Sequence, residues 1–106
     1  MSDLHQSTPR VRLPRSASAG DTIEVRTLID HPMVTAVSGP GPRDMLARFE
    51  ATMNGETVIA YDFANGAAAN PTFTFHVRAA APGAFTFTWT HEDGRRFTTE
   101  GSVRVT

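Results

Sequence analysis

The sequence contains neither cysteine nor lysine. Without a thiol, the chain can form no disulfide, no thiolate metal site and no nucleophilic sulfur, so any thiol chemistry would take place on another molecule. All ten basic residues are arginines, so there is also no amine for Schiff-base chemistry. Covalent catalysis through either group is therefore excluded.

An excess of charge of either sign is also missing. Ten basic and 11 acidic residues give a formal net charge of −1, which does not favour binding to nucleic acid or to an anionic membrane. No apolar run reaches the ~18 residues of a membrane-spanning helix. The polar residues 1–8 are not typical of an export signal, and we expect them to be a disordered segment. The remaining residues, 9–106, are predicted to form one domain.

The clearest structural pattern lies between Gly83 and Val105. Three aromatic residues, Phe85, Phe87 and Trp89, alternate with threonines, and this period of two is typical of a β-strand with one buried face. Gly94 lies in the turn that follows, and a looser alternation returns along the chain. The pattern predicts a β-hairpin whose aromatic face must be covered by other strands.

Shorter alternating runs supply those strands, and no segment favours a helix convincingly. Ser16 to Asp21 is predicted to be a turn. The segment from Asp44 could also be read as helical, but the Asn54-Gly55 pair that follows it is a strong hairpin signal. Six or seven strands at roughly ten-residue spacing predict an all-β fold, an immunoglobulin-like antiparallel sandwich of about seven short strands. The predicted strands are 10–14 (at a sheet edge), 23–30, 44–53, 57–63, 72–78, 85–90 and 96–105, and the predicted core is Phe49, Phe73, Phe75, Phe85, Phe87 and Trp89.

Residues that could support chemistry are sparse. The four histidines, His5, His31, His76 and His91, lack the close spacing of a zinc site, and we expect them to be solvated. No serine lies in a nucleophile-elbow context. The sequence therefore predicts no catalytic residue, no cofactor and no metal site, and we expect the chain not to be an enzyme.

Two features point instead to an interface. The segment from Met33 to Arg43 contains two glycines and two prolines near its end, and we expect it to be mobile or ordered by a partner. The outward positions of two strands form a surface with little charge, which is typical of the centre of an interface. Threonine's strand propensity explains the same residues equally well. These positions are Thr72, Thr74, His76, Thr86, Thr88 and Thr90.

The order of several short motifs resembles the SoxZ family, the cysteine-free half of the SoxYZ carrier of bacterial thiosulfate oxidation. The resemblance extends from about Thr8 to the end, although the segment 33–43 is shorter than in the family and contains no lysine. The motifs are Pro9-Arg10-Val11-Arg12-Leu13-Pro14, His31-Pro32-Met33, Pro42-Arg43 before Phe49, Asn54-Gly55, Asn70-Pro71 with Phe73, and Gly83 through Trp89 to Asp93-Gly94.

This resemblance implies a non-catalytic carrier subunit. It would pair with a SoxY-like protein whose cysteine arm bears the sulfur intermediates, present that arm to periplasmic Sox enzymes, and be exported together with its partner. Arg43 is the expected polar anchor. A free-standing immunoglobulin-like module that binds protein or carbohydrate remains the alternative, for which Tyr61 is the one aromatic residue expected outside. The residues expected at the partner interface are His31, Pro32, Met33, Arg43, Asn70 and His76.

Overall fold

Eight β-strands and no helix form the part of the chain that the computed structural model describes, residues 9–31, 33, 45–64 and 69–106. Within these ranges no helix is long and apolar enough to cross a bilayer. The strands are β1 Pro9–Arg12, β2 Ser16–Ala17, β3 Thr22–Ile29, β4 Leu46–Met53, β5 Glu56–Asp62, β6 Thr72–Arg78, β7 Gly83–His91 and β8 Arg96–Val105.

The strands form two sheets, one of three strands in the order β1-β3-β6 and one of five in the order β2-β8-β7-β4-β5. All neighbouring strands are antiparallel except β2, which pairs in parallel with the end of β8. The predicted immunoglobulin-like sandwich is therefore confirmed. The prediction missed β2, because Ser16 and Ala17 are too few to show a period and lie in a stretch typical of turns.

The core lies between the two sheets and follows the alternation of the strands. In β7 the odd-numbered residues face inward, and Phe85, Phe87 and Trp89 are at most 1% exposed. Phe49 from β4 stacks on Phe73 of β6 with ring centroids 4.6 Å apart. Four of the six predicted core aromatics are fully buried, whereas Phe73 and Phe75 are only half-buried because β6 is the edge of its sheet.

The two predicted hairpin turns are both present. Asn54 and Gly55 have φ values of 53° and 86°, the left-handed pair that a two-residue hairpin requires. The Asn54 side chain accepts the Ala84 N–H at 2.9 Å, so this turn is also bound to the start of β7. Gly94, with φ of 97°, occupies the turn between β7 and β8.

The start of β4 departs from simple alternation. A register shift between Leu46 and Arg48 interrupts the pairing with β7, so the adjacent residues Met45 and Leu46 are both buried. The segment is a strand, as predicted, but it begins two residues later than expected. This irregularity places Met45 at one end of the sandwich, next to the residues described below.

Candidate functional site

One end of the sandwich collects several of the residues that were expected at an interface. We call it the histidine end and define it by His31, Met33, Met45, Asn70 and His91. The two imidazole rings lie with centroids 5.4 Å apart and planes inclined by 60°. His31, Met33, Met45 and His91 are all at most 4% exposed.

Asn70 binds the chain just beyond β3. Its Oδ1 accepts the His31 N–H at 3.0 Å, and its own N–H donates to the His31 carbonyl at 2.7 Å. The left-handed backbone of Asn70, with φ of 52°, allows this reciprocal contact, because asparagine adopts that conformation more readily than most residues. Asn70 therefore extends the β3–β6 pairing past the end of the strands.

Both buried histidines use Nδ1 in the same way. His31 Nδ1 accepts the Met33 N–H at 3.1 Å, and His91 Nδ1 accepts the Asp93 N–H at 3.1 Å. Each imidazole thus organises the backbone two residues ahead, in one case toward the segment 34–44 and in the other toward the β7–β8 turn.

The β7–β8 turn is held by the Asp93 carboxylate. The Arg95 N–H donates to its Oδ1 at 2.9 Å, and Arg95 Nε donates to Oδ2 at 2.8 Å. The backbone hydrogen bond from Arg95 lowers the pKa of the Asp93 carboxyl, and the Arg95 side chain and His91 contribute in the same direction. The Arg95 guanidinium also lies 5.4 Å from the centre of the Phe97 ring.

The expectation that the histidines are solvated is wrong for His31 and His91, which are 0% and 3% exposed. Their positions continue the inward alternation of β3 and β7, in which odd-numbered residues are buried. That parity was the sequence signal that could have located them. The adjacent proline and turn residues instead suggested exposure.

The residues expected at the partner interface are only partly brought together. His31, Met33 and Asn70 meet at the histidine end, where they stabilise the fold. His76 faces outward from β6, with Nε2 3.7 Å from Glu24 Oε2, and lies about 20 Å along the strand from Asn70. Pro32 and Arg43 lie outside the described residues, as does nearly all of the segment 33–43 predicted to be mobile. An interface role for all six remains a prediction.

The predicted threonine surface is not one surface. Thr72, Thr74 and His76 lie on the outer face of the three-stranded sheet, whereas Thr86, Thr88 and Thr90 lie on the outer face of the five-stranded sheet. The two sets are on opposite sides of the molecule. The prediction failed because β6 and β7 follow one another in the chain but belong to different sheets.

Sequence reasoning also missed the charge on the three-stranded sheet. Arg12 lies directly opposite Arg26, and Arg10 lies two residues along the same edge. These side chains line a shallow depression of about 360 Å³ together with Leu28 and Thr72. The strands of this sheet carry four arginines, the fourth being Arg78, and one acidic residue, Glu24. Only the strand pairing, which sequence alone does not give, brings them together.

Beside this face the sandwich has an open side, where β5 and β6 are the outermost strands of their sheets in the part of the chain that the structure describes. Tyr61 lies opposite the fully buried Phe49 and points the same way, yet its side chain is 47% exposed. Its ring contacts Phe63 and Phe73 with centroids 5.2 Å apart in each case. The expected exposure of Tyr61 is therefore confirmed, and it forms part of an aromatic cluster.

No group of three or more histidine, aspartate or glutamate side chains within the described ranges is arranged to hold a metal ion. The Asp93 carboxylate lies beside one of the two buried histidines, with Oδ1 3.1 Å from His91 Nδ1.

Several solved structures share this fold. The sulfur carrier protein SoxY from Chlorobium limicola f thiosulfatophilum superposes with a TM-score of 0.71 at 14% identity, covering 92% of this chain and 78% of its own. Superoxide reductase (neelaredoxin) from Ignicoccus hospitalis gives 0.68 at 17% identity, covering 93% and 80%. A putative superoxide reductase from Thermotoga maritima gives 0.69 at 13% identity, covering 92% and 85%. Such low identities establish the fold alone.

The sequence comparison is more specific. No protein of curated function shows a significant match to this chain. The family model for the sulphur oxidation protein SoxZ matches residues 11–102, which include every strand from β2 to β7 and most of β8. Since the match covers most of the sandwich, this chain belongs to the SoxZ family and is a subunit of a Sox sulfur-oxidation complex.

Proposed function

We propose that this chain is the non-catalytic subunit of a heterodimeric sulfur carrier. It pairs with a SoxY-like protein whose cysteine arm carries the sulfur intermediates, and the pair is exported together to the periplasm, where the Sox enzymes act on it. The observation that supports this most strongly is a SoxZ-family sequence across the sandwich that contains no cysteine. Without a cysteine thiolate, the chain cannot itself hold a sulfur intermediate as a persulfide or as any other covalent adduct of cysteine.

The shape of the molecule supports pairing. The SoxY structure from Chlorobium limicola f thiosulfatophilum has the same sandwich fold, and sandwiches that end in exposed strand edges can join through main-chain hydrogen bonds. The open side formed by β5 and β6 offers such edges together with an aromatic surface. A permanent partner should bury at least about 1,600 Å² in total.

The histidine end contributes to pairing by positioning the chain where it enters the segment 34–44. His31 and Asn70 fix the point at which the chain leaves β3 for the segment 34–44, through bonds of 3.0 Å and 2.7 Å. In this proposal Pro32 and Arg43 then contact the partner, with the Arg43 guanidinium donating two hydrogen bonds to a carboxylate or carbonyl, while the buried Met33 supports the chain between His31 and that segment. His31 and Asn70 act on the interface by holding that segment in place.

The alternative is a free-standing immunoglobulin-like module that binds protein or carbohydrate. Its one supporting observation is the exposed ring of Tyr61, because aromatic side chains commonly form the platforms of binding sites. A module of this kind needs no SoxY-like partner, and this difference separates the two functions experimentally.

Co-expression with a SoxY-like protein from the same genome tests the proposal. We expect a single heterodimeric species in size-exclusion chromatography, no thiosulfate-dependent turnover by this chain alone, and turnover in a reconstituted Sox system only when both subunits are present. A partner in which the arm cysteine is replaced by serine is the control, since it should still pair but not turn over. Two separately eluting proteins, with turnover indifferent to this chain, would leave the binding module.

A further inference from the structure

The two sides of the sandwich differ in how their strand edges are protected. On one side, β1 begins with Pro9, carries Arg10 and Arg12 and is followed by Pro14, while β2 is only two residues long. Proline, charge and shortness are the usual means of preventing an edge from pairing with another chain. This side is closed to strand addition.

The opposite side has fewer of these protections, although Pro71 directly precedes β6. β6 has seven residues, Thr-Phe-Thr-Phe-His-Val-Arg, with no proline, glycine or acid, and its one permanent charge is at the end. Its pairing with β3 shows which backbone groups are used. The Ala79 N–H donates to the Asp21 carbonyl, and the Ile29 N–H donates to the Pro71 carbonyl, so the odd-numbered residues of β6 bond to β3. The N–H and C=O groups of Thr72, Thr74 and His76 point away from the sheet.

The sheet opposite β6 extends one strand further. Ile59 and Tyr61 of β5 pair with Ala51 and Phe49 and face the interior with them. The β4 residues are 0% exposed, whereas Ile59 is half-buried and Tyr61 is 47% exposed. The described strands cover the inner face of β5 only in part, because the three-stranded sheet ends at β6, whose Phe73 contacts the Tyr61 ring. The space beside β6 is therefore bordered by the outward-pointing backbone N–H and C=O groups of β6 and by the apolar side chains of β5.

The charge on the outer face of the three-stranded sheet indicates which outward side chains a strand added beside β6 would carry. The row across the three-stranded sheet runs from Arg12 through Arg26 to Thr74, and a strand added beside β6 would continue it. The strands of this sheet carry four arginines and a single glutamate, Glu24, which pairs with Arg26 at 2.6 Å and leaves an excess of positive charge. Outward residues of an added strand would therefore be favoured if they were acidic.

From these observations we propose that β6 accepts an extended strand of the partner subunit, which becomes the fourth strand of the smaller sheet. That strand has apolar side chains at every second position, packed on Ile59, Tyr61 and Phe75, and acidic or hydroxyl side chains between them. This inference rests on the proposed function for the identity of the partner. Beyond that function, it specifies where the partner binds and what pattern of side chains the bound segment has.

Proline substitution tests the site with a matched control. Thr74→Pro removes an N–H that points away from β3, so the fold keeps its hydrogen bonds while strand addition is blocked. Ala60→Pro makes the equivalent change on β5, because the Phe63 N–H donates to Ala47 and places the Ala60 N–H on the free edge. We expect Thr74→Pro to weaken the complex at least about tenfold and Ala60→Pro to change it by no more than about twofold.

Amide exchange on the wild-type pair provides a second measurement that does not depend on the folding of a variant. The Thr74 and His76 amides should exchange freely in the isolated chain and become protected in the complex. Wild-type binding by Thr74→Pro, loss of binding by Ala60→Pro alone, or protection of these amides already in the isolated monomer or in a homodimer would each overturn the inference while leaving the heterodimer intact. Failure of the wild-type chains to pair at all would overturn both.

Discussion

The rings of His31 and His91 lie with centroids 5.4 Å apart at one end of the sandwich, although His91 ends β7 in the larger sheet and His31 follows β3 of the smaller one. Each accepts at Nδ1 the backbone N–H of the residue two positions ahead. The pair therefore joins the exit from β3 to the turn after β7. A contact between His91 of β7 and His31, just beyond β3, fixes the end of the molecule where the segment 34–44 begins and ends.

Replacing His31 with leucine should destabilise the fold by about 1–3 kcal/mol, because the buried Met33 N–H loses its acceptor and leucine offers none. Urea denaturation measures the change. His76→Leu is the matched control, since that imidazole is 57% exposed and its loss should change the free energy of unfolding by less than about 0.5 kcal/mol. Equal costs for the two variants would contradict the role assigned to His31.

Substitutions of Asn70 should separate its two contributions to stability, which are its side-chain acceptor and its left-handed backbone. Asn70→Ala removes the acceptor of the His31 N–H and also strains the left-handed backbone, so we expect a loss of about 1–3 kcal/mol. Asn70→Gly removes the acceptor but relieves the backbone strain and should cost less. Thermal melts of both variants without a partner check this order. Wild-type stability of Asn70→Ala would instead favour a role in partner contact alone.

Trp89 is the largest fully buried side chain and packs on Phe49 with ring centroids 4.9 Å apart. Trp89→Ala should cost about 3–5 kcal/mol through lost burial and the cavity that remains. The corresponding fall in melting temperature exceeds about 10 °C. Val58→Ala, at a position 38% exposed, serves as the control, and a Trp89→Ala melt within a degree or two of the wild type would rule out the described core.

The Asp93 carboxylate should make the β7–β8 turn sensitive to acid. Because the Arg95 N–H lowers its pKa in the folded state, its contribution to stability is fully present above the ordinary aspartate pKa of about 3.9 and is lost as the pH falls through the lower folded value. Asp93→Asn removes this dependence, so its stability should fall less steeply below about pH 4. Glu100→Gln, at an exposed position of β8, is the comparison. If the free energy of unfolding of Asp93→Asn fell with decreasing pH as steeply as that of the wild type, the role assigned to the Asp93 carboxylate would be wrong.

The alternation of apolar residues was sufficient to predict most of the fold. It located seven strands, and Asn54-Gly55 and Gly94 located two turns, because these signals depend on local backbone geometry. It could not assign strands to sheets, and for that reason the threonines of β6 and β7 were placed on one face. Strand assignment depends on contacts between distant segments, which alternation within a strand does not encode.

The candidate site shows the same limit. The family motifs include Met33 and Asn70, and the structure brings both to His31. The contact between His31 and His91 could be predicted only by following the inward alternation of β3 and β7 past the ends of the predicted strands. The arginine face and the open ladder of β6 arise only from the pairing of β1, β3 and β6. A surface formed by several strands has no signature in any one of them.

Native mass spectrometry of this chain co-purified with its SoxY-like partner tests the central claim most directly, especially when the sample is taken during thiosulfate turnover. We expect one heterodimer in which all added sulfur resides on the partner's cysteine arm and the mass of this chain stays unchanged. Separate chains, or covalent sulfur on this chain, would contradict it.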